Sequence, residues 1–255
     1  MVQVSRRRIL QKTVGAAGAA LLGLPLAGRA QGDESKTRKL KVIVVGAHPD
    51  DPESGCGGTM ALYSSLGHEV VALYLTRGEA GIEGKSHDEA AEIRTREADR
   101  ACEILKARAV FAGQIDGATE INRARYAEFR KILEGEHPDI VFTHWPVDTH
   151  RDHRAASLLV YDAWLQGGKR FALFYFEVMS GAQTQNFSPS HYVDITATEK
   201  LKRDACFAHA SQNPAEFYAE HEVMNRFRGM ECGAKFAESF VEHVQSSVRL
   251  PEIET

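Results

Sequence analysis

The chain has 255 residues, 43% of them hydrophobic and 26% charged, with a formal net charge of −4. That supplies a full core for one domain of ordinary size, and an acidic balance gives no electrostatic reason to bind nucleic acid or anionic lipid. Its four cysteines, Cys56, Cys102, Cys206 and Cys232, form no CxxC pair, which argues against a thiolate zinc site and for isolated, buried thiols.

Residues 1–30 read as an export signal. A basic patch, Ser5-Arg6-Arg7-Arg8-Ile9-Leu10, precedes an Ala/Gly/Leu stretch from Val14 to Ala27, and the small residues Gly28 and Ala30 lead to a break. Paired arginines before a weakly hydrophobic core point to the twin-arginine (Tat) machinery and a periplasmic or secreted location. The apolar run, about fourteen residues, is short of the roughly 20 that a spanning helix needs. Cleavage after Ala30 removes Arg6, Arg7, Arg8, Lys12 and Arg29 with no acid, so the net charge moves from −4 to −9. Residues 31–39 are polar and read as a linker, and residues 40–255 as the domain.

Strand and helix patterns then alternate. Val42 to Val45 is a β-branched run suited to a strand buried on both faces, and 55–66 has helical spacing ended by Gly67. A strand at 70–75, a charged amphipathic helix at 88–105, a short strand at 109–111 and a helix at 121–133 follow. Pro138 precedes a strand at 140–143, then a helix at 154–165 and a strand at 171–176. A further short strand is expected at 192–195, and 198–227 is helical with a break at Asn213-Pro214. The alternation predicts an α/β fold: a Rossmann-like open, mostly parallel sheet with helices on both faces. Ligands of such sheets bind beyond the carboxyl ends of the strands.

The polar clusters fall there. His48-Pro49-Asp50-Asp51 follows the first strand, and His150-Arg151-Asp152-His153 opens the helix after the strand at 140–143. A turn explains Pro and Asp, and a helix cap explains Asp152, but neither explains the histidines. His150 and His153, three residues apart, share one side of a helical turn. Two histidines and a carboxylate make a three-ligand site with positions open for water and substrate. Nitrogen and oxygen donors suit Zn2+, and also Fe2+ or cobalt. Such a metal lowers the pKa of bound water toward about 7 and makes hydroxide available.

Residues 47–59, AHPDDPESGCGGT, resemble the AHPDDE…GCGGT signature of the PIG-L/LmbE-like de-N-acetylases. The similarity continues through Gly67-His68-Glu69-Val70, Thr76-Arg77-Gly78-Glu79-Ala80-Gly81, Arg96-Glu97-Ala98, Pro138-Asp139-Ile140-Val141, the block from Pro146 to Arg154, Val193-Asp194-Ile195 and His209-Ala210-Ser211-Gln212. It spans about residues 40 to 215. It implies zinc held by His48, Asp51 and His153, Asp50 as general base, and His150 stabilising the oxyanion or protonating the leaving amine. Asp152 is implied to orient His150, and an imidazolium there to be favoured by that carboxylate. The implied reaction removes an acetyl or acyl group from an N-acetylated sugar or related small-molecule N-acyl amine. One departure stands out: Pro52 occupies the place where the family commonly has Glu.

Position on the functional edge makes Arg77, Asp148 and His144 candidates for substrate binding, and Trp145 and His209 weaker ones. Two other readings compete. The His48-x-Asp50 pair with a distant His153 imitates the ligand set of a non-haem Fe(II) oxygenase, against which the βα alternation argues. A non-catalytic metal- or sugar-binding protein would have no need of both Asp50 and His150.

Overall fold

The computed structural model describes residues 38–245; the leader read at 1–30 and the linker up to residue 37 lie outside the described residues. In chain order the elements are β1 (Lys41–Gly46), α1 (Asp51–Ser65), β2 (Glu69–Tyr74), α2 (His87–Leu105), β3 (Arg108–Phe111), α3 (Arg123–Glu136), β4 (Ile140–His144), α4 (Arg151–Gln166) and β5 (Ala172–Phe176). Then come β6 (His191–Asp194), α5 (Glu199–Ala208), a 3₁₀ turn (Ala210–Gln212), α6 (Pro214–Cys232) and β7 (Ala237–Glu242). One seven-stranded sheet has the order β3-β2-β1-β4-β5-β7-β6.

β1, β2, β3, β4 and β5 are parallel, with Val42 opposite Val70 on one side and Ile140 on the other. The alternating side chains of β1 explain the two-sided core. Val42 and Val44 face Met60, Tyr63 and Phe142 on the side of α1, α2 and α5. Ile43 and Val45 face Phe129, Leu133, Leu159 and Trp164 on the side of α3 and α4. Burying each aliphatic side chain contributes roughly 1.5–3 kcal/mol, so a central strand with no exposed face is a major source of stability.

The edge beyond β5 departs from the parallel pattern. β7 runs antiparallel to both β5 and β6. The sequence reading ends its last helix at 227 and assigns no strand after it. Ala237 to Glu242 has mixed burial along its length, which hides the two-residue period. The break foreseen at Asn213-Pro214 is where α6 begins, with Pro214 in its first turn, where a missing N–H costs nothing. α2 starts at the capping box Ser86/Glu89, a signature present in the sequence.

The glycines of α1 allow close packing. A β-carbon on Gly55 would lie 2.4 Å from Phe176, and one on Gly58 2.7 Å from Ile195. α1 is therefore buried along almost its whole length, which fixes the residues at its N-terminus. No helix among the described residues is long and apolar enough to cross a membrane.

The cysteines are unpaired, and three are buried as expected, but Cys232 is exposed at the end of α6. Burial pushes the Cys56 and Cys206 thiols well up, and the Cys102 thiol up to about 12. A maleimide reagent at neutral pH should label Cys232 alone in the native protein and all four cysteines after denaturation. Native labelling of Cys56 would contradict this packing.

Candidate active site

The strand order reverses between β1 and β4, and both polar motifs leave the sheet at that switch point. A cavity of about 580 Å³ opens there, lined by His48, Asp50, Asp51, His150 and His153 together with Arg94, Asp116, Arg151, Met179, Phe217 and His221.

The loop after β1 is held by its own backbone. The amide of His48 donates to Asp51 Oδ2 at 2.7 Å, and the amide of Asp51 to the His48 carbonyl at 3.2 Å. Asp51 opens α1, and Asp50 before it has φ 110°. Pro52 sits in the first turn, where no N–H is needed, with its ring against Gly46. Glu53 follows it and points away from the cavity, buried against the Tyr74 hydroxyl and His209. The proline therefore leaves the bonds around Asp51 intact.

Each of two histidines has one nitrogen tied to carboxylates and the other aimed at Asp51. His48 Nε2 lies 3.1 Å from Asp116 Oδ1 and 3.2 Å from Asp152 Oδ2, while its Nδ1 is 3.3 Å from Asp51 Oδ2. His153 Nδ1 lies 3.2 Å from Asp148 Oδ1, while its Nε2 is 3.3 Å from Asp51 Oδ1. A carboxylate on the far nitrogen fixes tautomer and ring orientation, the usual support of a metal-binding histidine. Tetrahedral zinc with bonds of about 2.0–2.1 Å separates its donors by about 3.3 Å, the distance at which His48 Nδ1 and His153 Nε2 each stand from an Asp51 oxygen; Asp51, His144 and His153 bring one donor atom each within 4.8 Å of one another. His48, His150 and His153 also bring one nitrogen each within 4.8 Å of one another.

The electrostatics agree with a place for a cation. Burial opposes charge on His48, but hydrogen bonds from its ring to the Asp116, Asp152 and Asp51 carboxylates outweigh it and raise its pKa well above the usual value. Burial likewise opposes charge on His153, yet Asp51 and Asp148 bring it to about 9. Burial would raise Asp51, but the charges of His153 and His144 hold it well down. A divalent ion and a proton would compete for the same histidine nitrogens.

Several of the expected residues take other partners than those foreseen for them. The Asp152 carboxylate does not touch the ring of His150: it holds His48, and accepts from the Gly117 amide at 2.8 Å and the Thr119 hydroxyl at 2.6 Å. His150 instead caps α4, its Nδ1 accepting the Asp152 amide at 3.3 Å. Burial and the neighbouring charges of His48 and His153 lower its pKa. None of Arg77, His144 and Asp148 lines the cavity. Arg77 Nε donates to Thr95 on α2 at 2.9 Å. Asp148 is spent on His153, the His150 amide and Thr184. His144 lies behind Asp51, 3.2 Å from its Oδ2, and stacks on His153 at 4.0 Å; burial brings its pKa to about 4. Trp145 is engaged in packing, edge-on to Tyr175 and Phe187.

The sequence reading missed Arg94, Asp116 and His221. Asp116-Gly117 follows β3 on the same functional edge, but an aspartate before a glycine also suits an ordinary turn and does not stand out. Arg94 sits in the middle of a charged helix, and His221 on a helix of mixed pattern; no local signal marks either.

An open, mostly parallel sheet with a histidine–carboxylate cluster at its switch point defines the class: a Rossmann-like α/β scaffold with its polar site at the topological switch. A family profile described as PIG-L, GlcNAc-PI de-N-acetylase, matches residues 43–164. The chain is 32% identical over 219 residues to diacetylchitobiose deacetylase of Thermococcus kodakarensis, covering 78% of this chain and 81% of that one. It superposes on a conserved protein of Thermus thermophilus with a TM-score of 0.71, at 31% identity over 85% of this chain and 100% of that one. N,N'-diacetylchitobiose deacetylase of Pyrococcus horikoshii gives a TM-score of 0.70 at 26% identity, over 80% of this chain and 83% of that one. The chain belongs to the PIG-L/LmbE-like family of deacetylases.

Proposed function

We propose that the protein is a metal-dependent hydrolase that removes an acetyl group from an N-acetylated amino sugar or a closely related N-acyl amine. The observation that carries this reading is the convergence of His48 Nδ1, His153 Nε2 and the Asp51 carboxylate, with both far nitrogens held by other carboxylates. The similarity to diacetylchitobiose deacetylases supports the sugar as substrate class.

A divalent ion held by His48, Asp51 and His153, zinc first by donor type, would polarise the acyl carbonyl and lower the pKa of water toward about 7. Asp50 accepts the proton of the attacking water. Its Oδ2 is bonded to Arg94, so Oδ1 is the atom that receives it. Burial raises the Asp50 pKa despite the Arg94 charge, which suits a base that must later return its proton to the leaving amine. His150, with Nδ1 accepting an amide N–H, carries its proton on Nε2 and donates it as a hydrogen bond to the developing oxyanion. In this reading His150 acts as a hydrogen-bond donor, and the proton that Asp50 takes from the water is the one it returns to the amine.

The test is amine release from a panel of N-acetyl amino sugars and N-acyl amines, using mature protein stripped of metal and then reloaded with zinc or iron. Release from an N-acetyl sugar that disappears on stripping and returns on reloading is the expected result. Equal release by stripped and reloaded protein would remove the metal from the mechanism; release confined to non-sugar amines would remove the sugar.

A further inference from the structure

Arg94 reaches from α2 across to the loop after β1. Its Nη2 donates to the Pro49 carbonyl and, at 3.0 Å, to Asp50 Oδ2. The residue is 3% exposed, although it borders the cavity. Asp50 needs such a hold. Its φ of 110° is a conformation that a residue with a β-carbon keeps only where its surroundings over-determine it. Its side chain makes no capping bond to α1, so Arg94 is its hydrogen-bonding partner among the described residues.

The guanidinium is itself clamped. A β-carbon on Gly78 would lie 2.5 Å from Arg94 Nη1, and one on Gly81 2.3 Å from the same atom. The loop after β2 thus closes on the guanidinium with no room for a methyl group. The 3₁₀ turn at 210–212 fastens this arrangement: Gln212 Nε2 donates to the Gly81 carbonyl at 3.1 Å, and the Ser211 amide and hydroxyl both donate to Glu97 at 2.7 Å. Segments from four parts of the chain therefore fix one arginine head against one aspartate. The planar head can spend both hydrogens of one nitrogen on the carbonyl and the carboxylate together, a geometry that lysine reproduces poorly.

We propose that Arg94 is a positioning residue of the reaction: seated against Gly78 and Gly81, it locks Asp50 in its left-handed backbone conformation, occupying one carboxylate oxygen and leaving the other free to take the proton. This rests on the reading of Asp50 as the base. It explains why an arginine from the middle of α2 reaches the site, and why two glycines lie where its head passes.

The test uses the metal-loaded enzyme and Arg94→Lys, Arg94→Gln and Gly81→Ala, with a crystal structure of Arg94→Gln. A displaced base about 1 Å from its place costs on the order of 100-fold in turnover. Arg94→Gln should therefore lose about that much in kcat, with KM within twofold and metal stoichiometry unchanged, and added guanidinium ion should restore turnover in a saturable way. Gly81→Ala should show the same kcat-selective loss, though neither Arg94 nor Asp50 is altered. Arg94→Lys guards against a folding failure, since it keeps the buried charge; it should match the wild type in melting temperature and still lose kcat. In the crystal, Asp50 should leave its positive φ or turn its carboxylate. An unmoved Asp50, or variants that only melt earlier while kcat per folded molecule stays at the wild-type value, would overturn the assignment. If the wild type released no amine from any substrate, the hydrolase reading alone would fail, and the position of Asp50 in Arg94→Gln would still decide the clamp.

Discussion

Asp50→Asn will lower turnover by about 10²–10⁴-fold while the protein still binds its metal, the range expected when a general base is removed. Asparagine isolates the charge. It is nearly isosteric, its side-chain oxygen can still accept from Arg94, and it tolerates positive φ better than most residues. The ligand set of His48, Asp51 and His153 is untouched, so metal stoichiometry by elemental analysis should equal that of the wild type. KM should move little, because the lost interaction is with a proton in flight rather than with the bound ground state. Wild-type turnover in this variant would remove Asp50 from the chemistry and pass the proton to another group at the cavity wall, His150 first among them. Loss of metal together with turnover would instead make Asp50 part of the ion's support.

The second large effect concerns stability and lies behind the site. Lys202 is 0% exposed; its Nζ donates to Glu238 Oε1 at 2.7 Å and to Asn225 Oδ1 at 3.3 Å. Glu238 in turn accepts the amides of Gly58 and Thr59 at 2.9 and 2.8 Å, so a carboxylate on β7 ties down the middle of α1. Lys202→Met removes the cation and strands a buried carboxylate, a change that costs about 3–5 kcal/mol in comparable sites. Urea denaturation should show that loss, and the melting temperature should fall on the order of 10 °C for a domain of this size. Lys202→Met combined with Glu238→Gln should recover only part of it: the stranded charge is gone, but the carboxamide turns its NH2 against one of the two backbone amides that the carboxylate accepted. Undiminished stability in the single variant would mean that solvent reaches the pair. Because α1 carries Asp51 at its start, metal affinity should weaken alongside stability in the single variant and recover with it in the double.

How much of this was legible depended on how far apart the interacting residues stand. His48, Asp50 and Asp51 lie within one turn after a strand, and His150 and His153 within one turn of a helix. Short-range geometry and the rule that ligands collect beyond strand ends therefore suffice to bring them out, and the structure gathers them around one cavity. The same short-range logic foretold most strands and helices, since a run such as Val42 to Val45 admits burial on both faces and little else. It failed for β7, whose partners β5 and β6 are set by packing rather than by a readable period. It failed too for Asp116, which stands beyond a strand end but beside Gly117, where an aspartate reads as part of an ordinary turn.

The sequence by itself determined the layered α/β architecture, the placing of the polar motifs beyond the carboxyl ends of strands and the identity of those motifs, because each is written in residues that are neighbours along the chain. Only the tertiary structure decided which partner each side chain takes. Asp152 turns to His48 instead of His150, Asp148 backs His153 instead of facing substrate, and Arg94 reaches Asp50 while Arg77 is bound to Thr95. These pairings join residues as many as 104 positions apart. They follow from how buried helices stack on the sheet and from the need of every buried charge for a partner, and no local pattern of residues encodes that choice.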